Sequence, residues 1–319
     1  MPAIDGAPTE PGAPDEALRQ AAAHPGVRAP SRTRDVDAHG VRIRVVEWGD
    51  ADAPPLLLAH GGFDFARTFD VFAPMLADAG WRVVAWDHRG HGDSERAALY
   101  AWHADTRDAL AVLDSTSAAP IPWVGHSKGA SLLTELAAAC PDRLTHLVAI
   151  DGLPSGREPF GPGDEAWIAR MREALGGWRA SHAGPAPGER RPGTIDDLAR
   201  RRARMNPRLS LDWLRYLVTV GARHDADGWR WKVDPALRMG GFGPWRPAWA
   251  LARLEKIAVP FLAILAGVEE EMGFGTTADD VRPHLPEAAE LETFHEVGHF
   301  VHIERPREVA DLVLRTLAR

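Results

Sequence analysis

The sequence predicts an α/β fold, a doubly wound and mostly parallel sheet interrupted by an inserted, mainly helical region. Three observations carry that expectation. Short apolar runs alternate with stretches of helical spacing, the pattern of parallel strands covered by helices on both faces. The alternation stops after Asp151 and resumes only at Pro260. Ahead of that break, Ile121–Gly129 is an apolar run ending in Gly-His-Ser-Lys-Gly, with a helix-like run from Ala130 to Ala139 directly after it.

Taken in order, residues 1–30 are rich in Ala, Pro and Gly and read as a disordered or loosely ordered tail. Thr33–Asp37 and Val41–Trp48 flank His39-Gly40 as a hairpin. Pro55–Ala59 is a short buried strand, Ala66–Ala79 a helix, and Arg82–Trp86 the next strand. Tyr100–Asp114 has helical spacing, and Leu144–Ile150 is the strand after the Ala130–Ala139 helix. From Gly152 to Ala250 the chain is punctuated by Gly and Pro and offers helices near 164–175, 195–204 and 211–220, but no buried strand. Pro260–Ala266, a helix at 277–284, the strand Glu290–Phe294 and a helix at 307–317 complete the pattern. The expected division is therefore a tail at 1–30, a core at 31–151 with 251–319, and a helical cap at 152–250.

Composition limits the function classes. The chain has 319 residues, with 45% hydrophobic and 26% charged, enough to bury a substantial core. A net charge of -8 disfavours nucleic acid, which wants a basic surface. No apolar run approaches bilayer length, so no membrane partner is expected. One cysteine, Cys140, excludes an internal disulfide, and the start lacks the basic and apolar segments of a secretory signal. A cytoplasmic location is the expectation.

The chemistry is concentrated around Ser127. A strand–turn–helix carrying Gly-x-Ser-x-Gly holds a serine on a sharp turn, and Gly125 and Gly129 leave room for the neighbouring strand and helix. Serine needs a base to take its proton. Of fourteen histidines, His299 lies between the last strand and last helix, at the sheet edge where Ser127 also ends up. His126 and His302 read as inward-pointing neighbours, and His60 as a brace for its own loop. The carboxylate that should orient the base is open on position alone. Glu269, Glu270 and Glu271 follow one strand at the right edge, and Asp151 follows another. Donors for an oxyanion are expected at the Lys128 N–H and in His60-Gly-Gly-Phe63, from Gly62 and also Phe63. The Lys128 side chain, at a helix start that disfavours a cation, calls for an acid such as Asp64. Asp87-His-Arg-Gly-His-Gly-Asp-Ser94 reads as a tight turn in which Asp87 and Arg89 tie loops together. The tryptophans between 152 and 250 either line an apolar pocket or pack that region, and its arginines read as a solvated face.

His60-Gly61-Gly62, Asp87–Ser94, Gly125–Gly129 and Gly298-His299-Phe300, in that order, resemble the α/β-hydrolase family from about Val41 onward. The resemblance implies a nucleophile–acid–base order of Ser127, an acid and His299. It implies Glu270 as the acid, three residues beyond Gly267, with Asp151 the position used by a minority of relatives. Capped, epoxide-hydrolase-like relatives are similar, but those enzymes use an aspartate nucleophile, which Ser127 is not. The resemblance with a serine in that place implies a serine hydrolase of a small, apolar ester, lactone or thioester, with no metal or organic cofactor. Phe63 and His126 are its candidate substrate contacts. The alternatives are a carbon–carbon bond hydrolase with the same triad and a non-catalytic ligand receptor on the same fold.

Overall fold

The computed structural model describes residues 16–157, 164–182, 190–239 and 247–319. Its strands are β1 (Arg32–Asp37), β2 (Arg42–Trp48), β3 (Pro55–Ala59), β4 (Arg82–Trp86), β5 (Ile121–His126), β6 (Leu144–Ile150), β7 (Ala222–Asp225), β8 (Gly228–Trp231), β9 (Phe261–Ala266) and β10 (Glu290–Phe294). Eight of them form one sheet in the order β1-β2-β4-β3-β5-β6-β9-β10. The β1–β2 and β2–β4 pairs are antiparallel and every other pair is parallel.

Apolar side chains alternate between the two faces of this sheet, as the period of two requires. Leu57, Val84, Trp123, Leu147 and Ala263 belong to one core, with Val112, Leu113, Leu132 and Leu254 from the helices Trp102–Thr116, Lys128–Ala139 and Pro247–Leu254. Leu56, Leu58, Val124, Val148 and Leu262 face the other way, against Phe72 and Leu76 of Phe72–Asp78 and Val309 and Val313 of Pro306–Leu317. Each fully buried side chain of this size contributes about 1.5–3 kcal/mol relative to exposure. The strands are thus held on both faces. Their carboxyl ends form a rigid edge, to which the loops are anchored.

Most expected elements stand within a residue or two of their expected bounds, and the differences have local causes. The 66–79 stretch divides into a 3₁₀ turn, Ala66–Phe69, and the helix Phe72–Asp78. Asp70 lies at the break. Its carbonyl accepts the Arg28 N–H at 2.8 Å, and its buried carboxylate is tied to Arg67 and Tyr216. The His39-Gly40 hairpin turn has positive φ at both residues, 55° and 86°, the primed geometry that matches strand twist.

Between β6 and β9 run the helices Asp164–His182, Ile195–Ala203 and Leu211–Gly221, then the β7–β8 hairpin and the helix Pro247–Leu254. None of these residues joins the large sheet. The hairpin is a correction to the strand-free expectation. Arg223, Asp225, Arg230 and their neighbours leave it half-buried and polar, without the apolar run that marks a buried strand. Asp227-Gly228 at its turn was the available signal. Leu198, Trp213, Leu214 and Leu217 of this region pack with Phe65 and Phe300 of the sheet-edge loops.

The loosely ordered tail is corrected in part. Residues 1–15 lie outside the described residues, but Glu16–Ala22 is a helix, and His24 packs edge-on to Trp213 at 5.0 Å. Arg28 N–H bonds to Asp70 O, and the buried Trp48 Nε1 donates to Arg28 O at 2.9 Å. Tail backbone supplies partners for groups that would otherwise be buried without one. No helix among the described residues is long and apolar enough to cross a membrane. A chain begun at Ser31 should lose about 1–3 kcal/mol of stability, because the Trp48 donor is left unpaired. Urea unfolding measures this, and an unchanged midpoint would contradict it.

Candidate active site

Three loops at the carboxyl edge of the sheet meet around Ser127. The serine follows β5 directly, at φ 52° and ψ −124°, a conformation that costs about 1–3 kcal/mol for a residue with a side chain. Its neighbours hold it there. Ser127 N–H donates to Ile150 O at 2.9 Å, and Ser131 N–H donates to Ser127 O at 3.0 Å. Glycines permit the close approach. A Cβ on Gly125 would fall 2.6 Å from Ala130 N, and one on Gly129 would fall 2.5 Å from Ala59 O. Gly152 is equally constrained, since a Cβ there would overlap the Ser127 carbonyl. The main chain just after β6 therefore lies directly against the serine.

Asp151 occupies that junction at φ 42°. Its N–H donates to Ile264 O at 2.7 Å, and its Oδ1 accepts the Ala266 N–H at 2.9 Å. The other oxygen, Oδ2, accepts from His299 Nδ1 at 2.6 Å, with both side chains almost wholly buried. This pair corrects the expectation for Glu270. Glu270 Oε2 accepts the main-chain N–H of His299 at 2.6 Å rather than a ring proton. The spacing from Gly267 brings Glu270 to the correct loop. It cannot reveal that the loop turns toward the histidine backbone. Glu269 points elsewhere, to Arg157.

His299 is held at a third point, where His126 Nε2 donates to its carbonyl at 2.9 Å. With Nδ1 donating to Asp151, the free nitrogen is Nε2, the tautomer a base requires. His126 is fully buried behind this loop, 4.7 Å from the His299 ring, which removes it from the candidate substrate contacts. His302 is also a packing residue, 4.5 Å from His126 and 5.1 Å from Phe69.

The loop after β3 lies over the start of the serine helix, and a Cβ on Gly62 would sit 3.8 Å from Lys128 Cδ. As the first helical residue, Lys128 has a main-chain N–H with no acceptor inside its helix. Phe63, at φ 58°, donates its N–H to His91 Nε2 at 3.1 Å, so this donor is already engaged and the oxyanion expectation narrows to Gly62 and Lys128. The Lys128 ammonium pairs with Asp105 at 2.8 Å instead of Asp64, which pairs with Arg202 at 3.0 Å. The helix Trp102–Thr116 packs beside the serine helix and presents Asp105 to it. His60 bonds within its loop to Gly61 O and accepts the His88 N–H. Asp87 accepts the N–H groups of Ala66 and Asp93, and Arg89 makes a two-pronged pair with Asp108.

A cavity of about 410 Å³ lies between His24, Phe72, Trp213 and His302, away from the serine loops. A second, of about 490 Å³, reaches Gly62, Phe63, Met272 and Phe300, beside the loops that meet at Ser127. Its remaining lining includes Trp231 and four arginines, Arg190, Arg191, Arg201 and Arg202. The arginines were expected on a solvated face, and this placement corrects that. Of the tryptophans in this region, Trp231 lines the cavity, Trp213 is buried in packing, and Trp178 and Trp249 are exposed. Trp245 and the Trp167 side chain lie outside the described residues.

Residues 53–306 match the family model described as serine aminopeptidase, S33. The chain belongs to the α/β-hydrolase family. It is 39% identical over 131 residues to epoxide hydrolase A of Mycobacterium tuberculosis, covering 40% of this chain and about two fifths (41%) of that enzyme. It is 32% identical to the rhodomycin D methylesterase DauP of Streptomyces sp. (strain C5), over 68% of this chain and 75% of that one. A thioesterase domain from the curacin biosynthetic pathway shares the fold, with a TM-score of 0.75 at 22% identity over 89% of this α/β-hydrolase chain and 99% of the domain.

Burial around the site sets the acid response of this hydrolase fold. Burial, opposed by Asp64, lowers His60 from 6.5 to about 4; burial, with the nearby His299, lowers His126 to about 3. Below pH 6.5 the unfolded chain binds these protons and the folded chain does not, so stability falls with pH down to those values. Each ring contributes about 1.4 kcal/mol per pH unit in that window. Asp87, raised by burial from 3.8 to about 6, acts in the opposite sense between those values, but it is one group against two. Urea midpoints should therefore fall from pH 6.5 to pH 4.5, and a flat or rising profile would contradict the reading. Gly129→Ala should destabilise by several kcal/mol at neutral pH, since its Cβ would collide with rigid main chain. Thermal unfolding checks it.

Proposed function

We propose that the protein is a serine hydrolase that cleaves a carboxylic ester, lactone or thioester through an acyl-enzyme. The observation that carries the reading is the 2.6 Å hydrogen bond from His299 Nδ1 to Asp151, on a loop packed against the strained serine. In this reading His299 Nε2 takes the Ser127 proton as the oxygen attacks the substrate carbonyl. Asp151 stabilises the imidazolium that results. The N–H groups of Gly62 and Lys128 hold the negative oxygen of the tetrahedral intermediate, each worth about 3–4 kcal/mol when preorganised. His299 returns its proton to the leaving group, then activates a water that releases the acid and restores Ser127.

Glu270 acts as a positioning residue. It fixes the His299 main chain, so that rotation about the side chain alone aligns the ring. The 152–250 region serves as a cap, closing the roughly 490 Å³ cavity over the serine, with Phe63, Trp231, Met272 and Phe300 as apolar walls. That volume suits a small acyl or aryl group. The serine nucleophile separates this proposed chemistry from epoxide opening, which the name of one relative describes for that relative. The chemistry uses no metal or organic cofactor.

A p-nitrophenyl ester series from acetate to octanoate tests the reading. Wild type should hydrolyse at least one member, and Ser127→Ala none. Asp151→Asn should lower kcat by about ten-thousandfold, the scale for an imidazole left in the wrong tautomer. Glu270→Gln should cost about tenfold or less, because its amide oxygen can still accept the His299 N–H. The reverse ranking of these two variants would return the acid role to Glu270. Turnover of a vinylogous diketone with all esters untouched would favour carbon–carbon cleavage.

A further inference from the structure

The four arginines along the cavity have no role in the acyl-enzyme chemistry. All four come from the region between β6 and β9: Arg190 and Arg191 just before the helix Ile195–Ala203, Arg201 and Arg202 within it. They are the charged lining among the described residues, and no lining residue is a carboxylate. Their charges are balanced to different degrees. Arg202 is compensated, since it pairs with the buried Asp64 and lies 5.3 Å over the Trp231 ring. Arg201 instead donates to three main-chain carbonyls, those of Asp197, Arg191 and Pro192, which satisfy its N–H groups but leave its charge in place. Asp197, one turn away, is engaged in capping its own helix through the Thr194 N–H and hydroxyl. Partial burial and the neighbouring Arg191 and Arg204 both disfavour the charged form of Arg201, as expected where cations crowd with too few counter-charges.

The arrangement is built to last. Arg201 ties the Arg191–Pro192 main chain to its helix, and Gly193 fits because a Cβ there would meet the Arg201 guanidinium. This fixes a loop bearing two further arginines at the end of the cavity away from Gly62. Clustered arginines held in place without carboxylates fit an oxyanion of planar or tetrahedral shape, to which their forked donors are matched.

We infer that the substrate of the proposed hydrolase carries an anionic group, carboxylate or phosphate, remote from the bond that is cleaved, and that Arg191 and Arg201 with Arg190 hold it. This rests on the serine-hydrolase reading for which bond is cleaved. Binding of the anion is separable from it. The aromatic and thioether walls between Gly62 and the arginines then accommodate the apolar spacer.

Binding and turnover are measured as two separate arms. In the first, Ser127→Ala is titrated calorimetrically with adipic acid monoanilide and with hexananilide, which match in length and differ in the terminal carboxylate. The monoanilide should bind at least about tenfold tighter, the scale of one charge-assisted hydrogen bond. The preference should shrink as salt is raised toward about 0.5 M, where screening is nearly complete over a few ångströms. It should largely vanish when Arg190→Gln and Arg191→Gln are added, and survive in part with Arg191→Lys. Competition by inorganic phosphate against acetate then tells which oxyanion the arginines prefer. Equal affinity for the two anilides, or a preference indifferent to salt and to the arginine variants, overturns the inference. In the second arm, wild type is given mono-p-nitrophenyl adipate and p-nitrophenyl hexanoate. Failure to hydrolyse either, with the anilide preference intact, would refute the serine-hydrolase reading while leaving the anion site standing.

Discussion

Everything at this site depends on how firmly His299 is held. Its ring nitrogen is bonded to Asp151, its N–H to Glu270 and its carbonyl to His126. These three partners come from three different segments of the chain. Two of them are anchored directly in the sheet. Asp151 is tied to β9 through both its main chain and its side chain, and His126 is the last residue of β5. A base carried on a loop gains the positional accuracy of the strands beneath it, and one ring nitrogen is left to work with. For the proposed chemistry this matters more than any single distance, because a general base must already be aligned when the substrate arrives.

The serine is constrained by exclusion where the histidine is constrained by bonding. Gly125, Gly129 and Gly152 crowd main chain against main chain around Ser127, so its unfavourable backbone conformation has no room to relax. The cost is met by the buried strands on either side, β5 and β6, which lie at the centre of the sheet. Strain at the serine and burial in the sheet belong together, and a less buried edge strand would not sustain it.

Much of this was legible in the sequence, for a physical reason. Strand alternation, the Gly-x-Ser-x-Gly turn and the position of His299 are local patterns, and a parallel sheet converts order along the chain into position along one edge. The acid was not legible in the same way. Glu270 and Asp151 both follow strands at the correct edge, and only the path of two loops decides which reaches the ring. The same limit applies to Lys128, whose partner Asp105 comes from a neighbouring helix, and to Phe63, whose N–H is engaged by a histidine from the turn after β4. The arginines show it most clearly. Arg201 and Arg202 are spaced among acids as on a solvated helix face, yet packing of Leu198 and Ala199 into the neighbouring core turns them onto the cavity. In each case the determining contact is long-range, and such contacts leave no period in the sequence.

The central claim, that Ser127 is a nucleophile activated by His299, is most directly tested by labelling with a fluorophosphonate, read by mass spectrometry. Wild type should acquire one adduct on Ser127, formed as the hydroxyl displaces fluoride. Replacing His299 with alanine should slow that labelling severely while the protein stays folded. A folded wild type that takes no label at Ser127, or a His299→Ala variant that labels at the same rate, would contradict the account.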